Sequence, residues 1–208
     1  MKIKKVLRSS LGFGLLCSAS LFVNTAHAET QSIIVAGGCF WCVESDFEKV
    51  PGVLSAESGY IGGYTKSPTY SSVSSKNTGH YEAVEILFDD NQVSLTELSD
   101  YFWKTIDPTD PIGQFCDKGS PYKTAMFYQD DQQKAVFEAS LAQVEATKPF
   151  DAEVVTKLLP ASTFYSAEEY HQDYYKKNPI RYNLYRSSCG RDSKIKNLWG
   201  AVASKAYH

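Results

Sequence analysis

Alternation and periodicity cut the chain beyond its first thirty residues into short, well-marked pieces. Ser32 to Ala36 (SIIVA) is an apolar, β-branched run ending at Gly37-Gly38, which predicts a strand followed by a break. From Cys39 the period changes. Phe40, Val43, Phe47 and Val50 fall at i, i+3, i+7 and i+10, the stripe of a helix with one buried face, and Pro51-Gly52 stops it. Val53 to Tyr60 predicts a strand. Residues 61–79 are rich in Gly, Ser and Thr and read as a long loop. A loop of that length is usually functional or disordered, and its Tyr64 and Tyr70 favour function.

His80 to Phe88 alternates as a strand. Ser94 and Glu97 have capping-box spacing and open a helix running to about Ile106. An irregular segment leads to a strand from Tyr122 to Tyr128, a helix from Asp130 to Lys148 and a strand from Ala152 to Leu159. Ser166 and Glu169 have the spacing of a second capping box, ahead of a short Tyr-rich helix. After Pro179 the pattern predicts nothing definite. The order strand-helix-strand-strand-helix-strand predicts an α+β fold: a ferredoxin-like split βαβ plait with extensive coil and a long C-terminal tail. No Pro- or Gly-rich linker separates two periodic blocks, so residues 29–208 read as one domain.

Composition changes this picture at the N-terminus. Lys2, Lys4, Lys5 and Arg8 precede an apolar stretch from Leu11 to Val23, and Ala26-His27-Ala28 offers small residues where a signal peptidase reads. Residues 1–28 therefore read as a secretory signal peptide, with a mature chain beginning at Glu29. The expected location is an oxidising compartment, the bacterial periplasm. Without the leader the chain has 17 basic residues against 24 acidic ones, a balance of −7 that argues against nucleic-acid binding. At 43% hydrophobic and 22% charged residues, with no run of 18 apolar residues after the leader, no membrane association is expected of the mature chain. It is expected to be a monomer.

Candidate chemistry gathers at two places. Cys39 stands after two glycines where a strand meets a helix. There, unpaired N–H groups and the helix dipole are expected to lower a thiol toward neutrality. Cys42 completes a C-x-x-C, which suggests redox chemistry or zinc. Cys116, Cys189 and the histidines have no ligand spacing for zinc. A thioredoxin-like thiol-disulfide exchanger is the rival reading, although there the aromatic residue precedes the first Cys rather than lying between the two. On the strand from His80, Glu82 shares a face with Val84, Ile86 and Phe88, so a desolvated, proton-donating carboxyl is one reading and a Glu at the strand's wet end the other. Tyr70, Tyr122 and Asp117 are unremarkable singly. Tyr165, Tyr170, Tyr174, Tyr175, Tyr182 and Tyr185 read as packing for a helix and tail.

Taken in order, these residues resemble the A class of peptide methionine sulfoxide reductases. The likeness runs through Gly38-Cys39-Phe40-Trp41 with Val43-Glu44, Gly59-Tyr60-Ile61-Gly62-Gly63, Pro68-Thr69-Tyr70 and Gly79-His80-Tyr81-Glu82-Ala83-Val84. It continues through Asp117-Lys118-Gly119 with Tyr122 and His171-Gln172-Asp173-Tyr174. The resemblance implies that Cys39 attacks the sulfoxide sulfur, that Glu82 protonates its oxygen, and that Tyr70 and Tyr122 hydrogen-bond that oxygen. Phe40 and Trp41 would hold the methyl group, with Asp117 also lining the substrate site. It implies S-epimer selectivity, no metal or organic cofactor, and an external thioredoxin-like dithiol as reductant. Cys42 stands where many members have Gly, and Lys123 where Arg is common.

The resolving thiol is a separate question. Cys39 with Cys42 is the favoured catalytic pair and Cys116 with Cys189 a second one. Residues three apart in a helix hold their Cβ atoms about 5–6 Å apart, slightly more than the 3.5–4.5 Å of a disulfide. Cys189 remains an alternative, flanked by Arg186 and Arg191, which would activate its thiol.

Overall fold

The computed structural model describes residues 30–200, together with Met1. The expected signal peptide, residues 1–28, lies outside the described residues. In chain order the elements are β1 (Thr30–Gly37), α1 (Phe40–Phe47), β2 (Val53–Ile61), α2 (Tyr70–Ser74), β3 (Tyr81–Asp89) and α3 (Leu95–Trp103). Then come the short hairpin β4 (Gly113–Gln114) and β5 (Asp117–Lys118), a 3-10 turn at Ser120–Tyr122, β6 (Thr124–Tyr128) and α4 (Asp131–Thr147). Last are β7 (Lys157–Pro160), β8 (Tyr165–Ser166), α5 (Tyr174–Lys177), α6 (Pro179–Ser188) and α7 (Arg191–Trp199).

The main sheet runs β7-β6-β1-β3-β2-β8. Its four central strands pair antiparallel, and β3 lies between β1 and β2, which is the split βαβ arrangement. Strand alternation sorts the side chains by face. Ile33 and Val35 of β1 join Val84, Ile86 and Phe88 of β3 beneath Phe40, Val43 and Phe47 of α1, Phe102 and Trp103 of α3 and Phe137 of α4. Ile34, Ala36, Ile61, Ala83, Ala125 and Phe127 form a smaller cluster on the other face. Truncating a ring such as Phe47, which is wholly buried, costs about 3–5 kcal/mol.

The break before α1 has a steric cause. Gly38 sits at φ +89, and a Cβ there would lie 2.6 Å from Cβ of Gln114. Gln114 cannot yield, because its fully buried amide accepts from Asp107 N–H and donates to the Asp107 carbonyl. Only glycine turns the chain here.

Several boundaries differ from the pattern. The Ser94–Glu97 capping box forms as expected, but α3 ends at Trp103. Thr69 caps α2 inside the supposed loop, through the same reciprocal bonds with Ser72. The strand expected from Ala152 is β7, which is shorter and starts only at Lys157. The second capping box does not exist. Ser166 pairs with Gly59 in β8, and Glu168 beside it is drawn to Tyr60 and Tyr70, so no helix begins before Tyr174. The unread tail is two helices, docked by Ile195 and by Trp199, whose indole donates to the Ile106 carbonyl at 3.0 Å.

Candidate active site

Cys39 is the last residue before α1, at φ −55 and ψ 119, and its carbonyl accepts from the N–H groups of Cys42 and Val43. Its side chain caps nothing. The free N–H of Phe40 donates instead to Glu82 Oε2 at 3.2 Å, so a carboxyl from β3 occupies the helix N-terminus. Glu82 is 1% exposed, on the apolar face that alternation assigned to it. Burial pushes its carboxyl up to about 8, against the pull of the Phe40 N–H. At neutral pH this group is mostly protonated and able to donate.

Tyr122, leaving the 3-10 turn, and Tyr70, opening α2, converge on the same spot. The Tyr122 hydroxyl is in hydrogen-bond contact with both the Glu82 carboxyl and the Tyr70 hydroxyl. Tyr70 is held from behind by Glu168, which accepts the Tyr70 N–H at 2.9 Å and the Tyr60 hydroxyl at 2.8 Å. Aromatic rings complete the basin. Phe40 stacks on Tyr70 at 6.3 Å and lies 5.0 Å from His171, while Trp41 stacks on Tyr174 at 3.7 Å. The Trp41 indole donates to His171 Nδ1 at 3.0 Å, which fixes the ring proton on Nε2.

The cysteines do not behave as the helix dipole alone suggests. Cys39 and Cys42 are free, buried and hydrogen-bonded to each other. Burial pushes the Cys39 thiol well up, and neighbouring Cys42 and Glu82 add to the rise. Cys42 moves down instead: the hydrogen bond from Cys39 leads, burial opposes it, and Arg191 and Arg186 add to the fall. The expectation of a lowered Cys39 is therefore overturned. Cys116 and Cys189 are joined in a disulfide. Arg186 and Arg191, expected to activate Cys189, are engaged elsewhere: Arg186 with Asp46 and Asp192, Arg191 with the Gly37 and Thr105 carbonyls.

Comparison with known proteins gives this arrangement its context. The sequence model for peptide methionine sulfoxide reductase matches residues 31–203. The chain belongs to the peptide methionine sulfoxide reductase family. It is 46% identical to the peptide methionine sulfoxide reductase MsrA 2 of Caulobacter vibrioides, over 84% of this chain and 88% of that protein. It is 48% identical to MsrA of Bacillus subtilis, over 80% and 94% respectively. Among solved structures, reduced Mxr1 of Saccharomyces cerevisiae matches with TM-score 0.69 and 29% identity, covering 73% of this chain and 87% of that one.

Within this peptide methionine sulfoxide reductase fold, the structure brings Cys39, Cys42, Glu82, Tyr70, Tyr122, Phe40 and Trp41 together. Asp117 reaches the site through an intermediary. It accepts a short hydrogen bond from the Tyr185 hydroxyl, which is also in contact with the Cys39 thiol. Tyr185 was read as packing, and its place at the site is a correction. No local signal marks it, since α6 brings it in from 146 positions along the chain. Cys189 is not brought to Cys39, being bonded to Cys116.

Proposed function

We propose that this protein reduces the S epimer of methionine sulfoxide, protein-bound and free, to methionine, with Cys39 as nucleophile and Cys42 as resolving thiol. The Cys39 sulfur attacks the sulfoxide sulfur while neutral Glu82 protonates the oxygen. Tyr70 and Tyr122 hydrogen-bond that oxygen, and Phe40 and Trp41 enclose the methyl group. The oxygen is left on Cys39 as a sulfenic acid and methionine departs. Cys42 then displaces it as water and forms the Cys39–Cys42 disulfide, which an external dithiol reduces. Asp117 holds Tyr185 against Cys39.

The observation that carries this reading is a buried carboxyl bonded to the N–H of the residue that follows the thiol, inside an aromatic basin. A thiol-disulfide exchanger has no use for that proton donor. The decisive test offers both epimers of a methionine sulfoxide peptide with dithiothreitol. Turnover of the S epimer alone is expected. Equal rates on both epimers, or insulin-type disulfide reduction with no sulfoxide turnover, would refute the reading.

The physiological dithiol is thioredoxin-like. Saccharomyces cerevisiae Mxr1, alike in fold at 20% identity, is solved in complex with Trx2. The mature enzyme works as a monomer in the periplasm. Intact mass of cell-envelope protein should place its N-terminus at Glu29, and retention of residues 1–28 would contradict export.

A further inference from the structure

Phe40 is sealed in the core at 1% exposure, whereas its neighbour Trp41 is only partly buried. Core packing alone does not hold the indole. The stretch from Ala167 to Tyr174 holds it from two sides. The Tyr174 ring lies on the indole face, with 3.7 Å between centroids and 7° between planes. Stacking sets the plane of a ring but not its orientation within that plane. A half-turn of the indole about χ2 keeps the plane and carries the N–H to the other edge. The hydrogen bond from Trp41 Nε1 to His171 Nδ1, 3.0 Å, selects one of these orientations.

His171 is placed for that task. Its ring is buried and packs against Phe40 at 5.0 Å, Tyr70 at 4.5 Å and Tyr170 at 4.2 Å. Among the described residues its side chain makes one hydrogen bond, the one to Trp41, and Nε2 is buried without a partner. A buried, unpaired N–H has a cost that an apolar side chain of similar size would avoid. Packing therefore does not account for an imidazole here, but an acceptor for the indole does. Burial holds the ring below its ordinary value, with Glu168 opposing, so Nδ1 is free to accept. The stretch is itself anchored. The Gln172 side chain accepts the Ser58 N–H at 2.9 Å and donates to the Ser58 and Ala167 carbonyls at 2.8 and 3.0 Å. Asp173, in the left-handed region at φ +53, donates its N–H to Glu44 of α1, which also accepts the Ser58 hydroxyl. Thus β2 and α1 fix the stretch, and the stretch fixes the indole.

We propose that His171 is a positioning residue that locks the Trp41 indole in its substrate-ready orientation and so fits the site to a methyl group rather than a larger sulfur substituent. The inference deepens the functional reading and rests on its assignment of Phe40 and Trp41 to the methyl group. His171 acts through Trp41 and not on the reacting atoms. Without its acceptor the indole divides between orientations, and apparent affinity falls with the fraction that is competent. A hydrogen bond of ordinary net strength changes that fraction about two- to tenfold. A wall free to turn also admits an ethyl group more readily.

The test compares two replacements in the full chain. His171→Leu keeps the bulk and removes the acceptor. His171→Asn restores one, because the amide Oδ1 is bonded to Cγ as Nδ1 is. With a methionine sulfoxide peptide and dithiothreitol, His171→Leu should raise KM about two- to tenfold and leave the single-turnover rate at saturation nearly unchanged. Its preference for that peptide over the matching ethionine sulfoxide peptide should fall by a similar factor. His171→Asn should recover both. In a Trp41→Phe background, which has no indole N–H, His171→Leu should change neither. An Asn variant as impaired as the Leu variant, a loss in rate rather than in KM, or an undiminished effect in the Trp41→Phe background overturns the proposal. The Trp41 indole N–H resonance, identified by its absence in Trp41→Phe, reads the same contact without turnover. It should move in His171→Leu and return toward its native position in His171→Asn, and an unmoved resonance overturns the proposal too. If native enzyme turns over no sulfoxide, the functional reading has failed, and the resonance distinguishes that from failure of the clamp.

Discussion

The inner and outer cysteine pairs show how little a thiol's own chemistry decides. Cys39 and Cys42 are three residues apart, free and nearly sealed from water. Around them lie a carboxyl buried on the apolar face and a surround of aromatic rings. Cys116 and Cys189 are 73 residues apart and bonded, with Cys116 exposed. Asp117 beside them is engaged with Tyr185. What the outer pair does is tie the end of α6 to the β4–β5 hairpin, and α6 delivers Tyr185 to the inner pair. On the proposed reading one pair carries electrons and the other is structural.

The largest expected effect falls on the inner pair. Cys39→Ser should reduce sulfoxide turnover to background in a steady-state assay, while the double variant Cys116→Ser/Cys189→Ser should keep most of it. Comparable losses in both would erase the distinction. Next comes the proton donor. Glu82→Gln should slow single-turnover chemistry by about 10² to 10⁴. Glu82 acts in its protonated form, which its raised value keeps populated below about 8. The wild-type rate should therefore fall as pH rises through about 8, and that limb should vanish in Glu82→Gln.

The outer pair should reveal itself in stability. A cross-link closing 73 residues removes about 4 kcal/mol of denatured-state entropy on the chain-entropy estimate. Denaturant unfolding of the double variant should show a loss of that order. Smallest is Gly38→Ala, where positive φ and the contact with Gln114 should cost about 1–3 kcal/mol and displace Cys39. A stable variant with normal activity would show that the turn does not position the thiol.

The inner site was legible because it sits on elements with clean periodicity. The strand, Gly-Gly break and helical stripe located Cys39, and alternation placed Glu82 on the apolar face. The C-terminal helices were not legible because they invert the usual pattern. Ile180 and Leu184 are 78% and 66% exposed, whereas Arg191 is almost fully buried. With α6 showing its apolar side chains and α7 burying its arginine, neither helix leaves a clean stripe to read. Ser166 and Glu169 misled for a related reason. Local spacing offered a cap, but Ser166 pairs with Gly59 of β2 and Glu169 binds Lys177 instead. The Cys39 thiol was expected too low because the helix dipole was weighed without the burial that opposes it.

The central claim is that Cys39 and Cys42 form the catalytic disulfide while Cys116–Cys189 stays closed. It is tested by adding stoichiometric methionine sulfoxide to protein with Cys39 and Cys42 reduced and mapping disulfides by mass spectrometry after one turnover. The account predicts Cys39–Cys42 together with an undisturbed Cys116–Cys189. A dominant Cys39–Cys189 or Cys39–Cys116 link, with Cys42→Ser still losing two thiols per turnover, would contradict it.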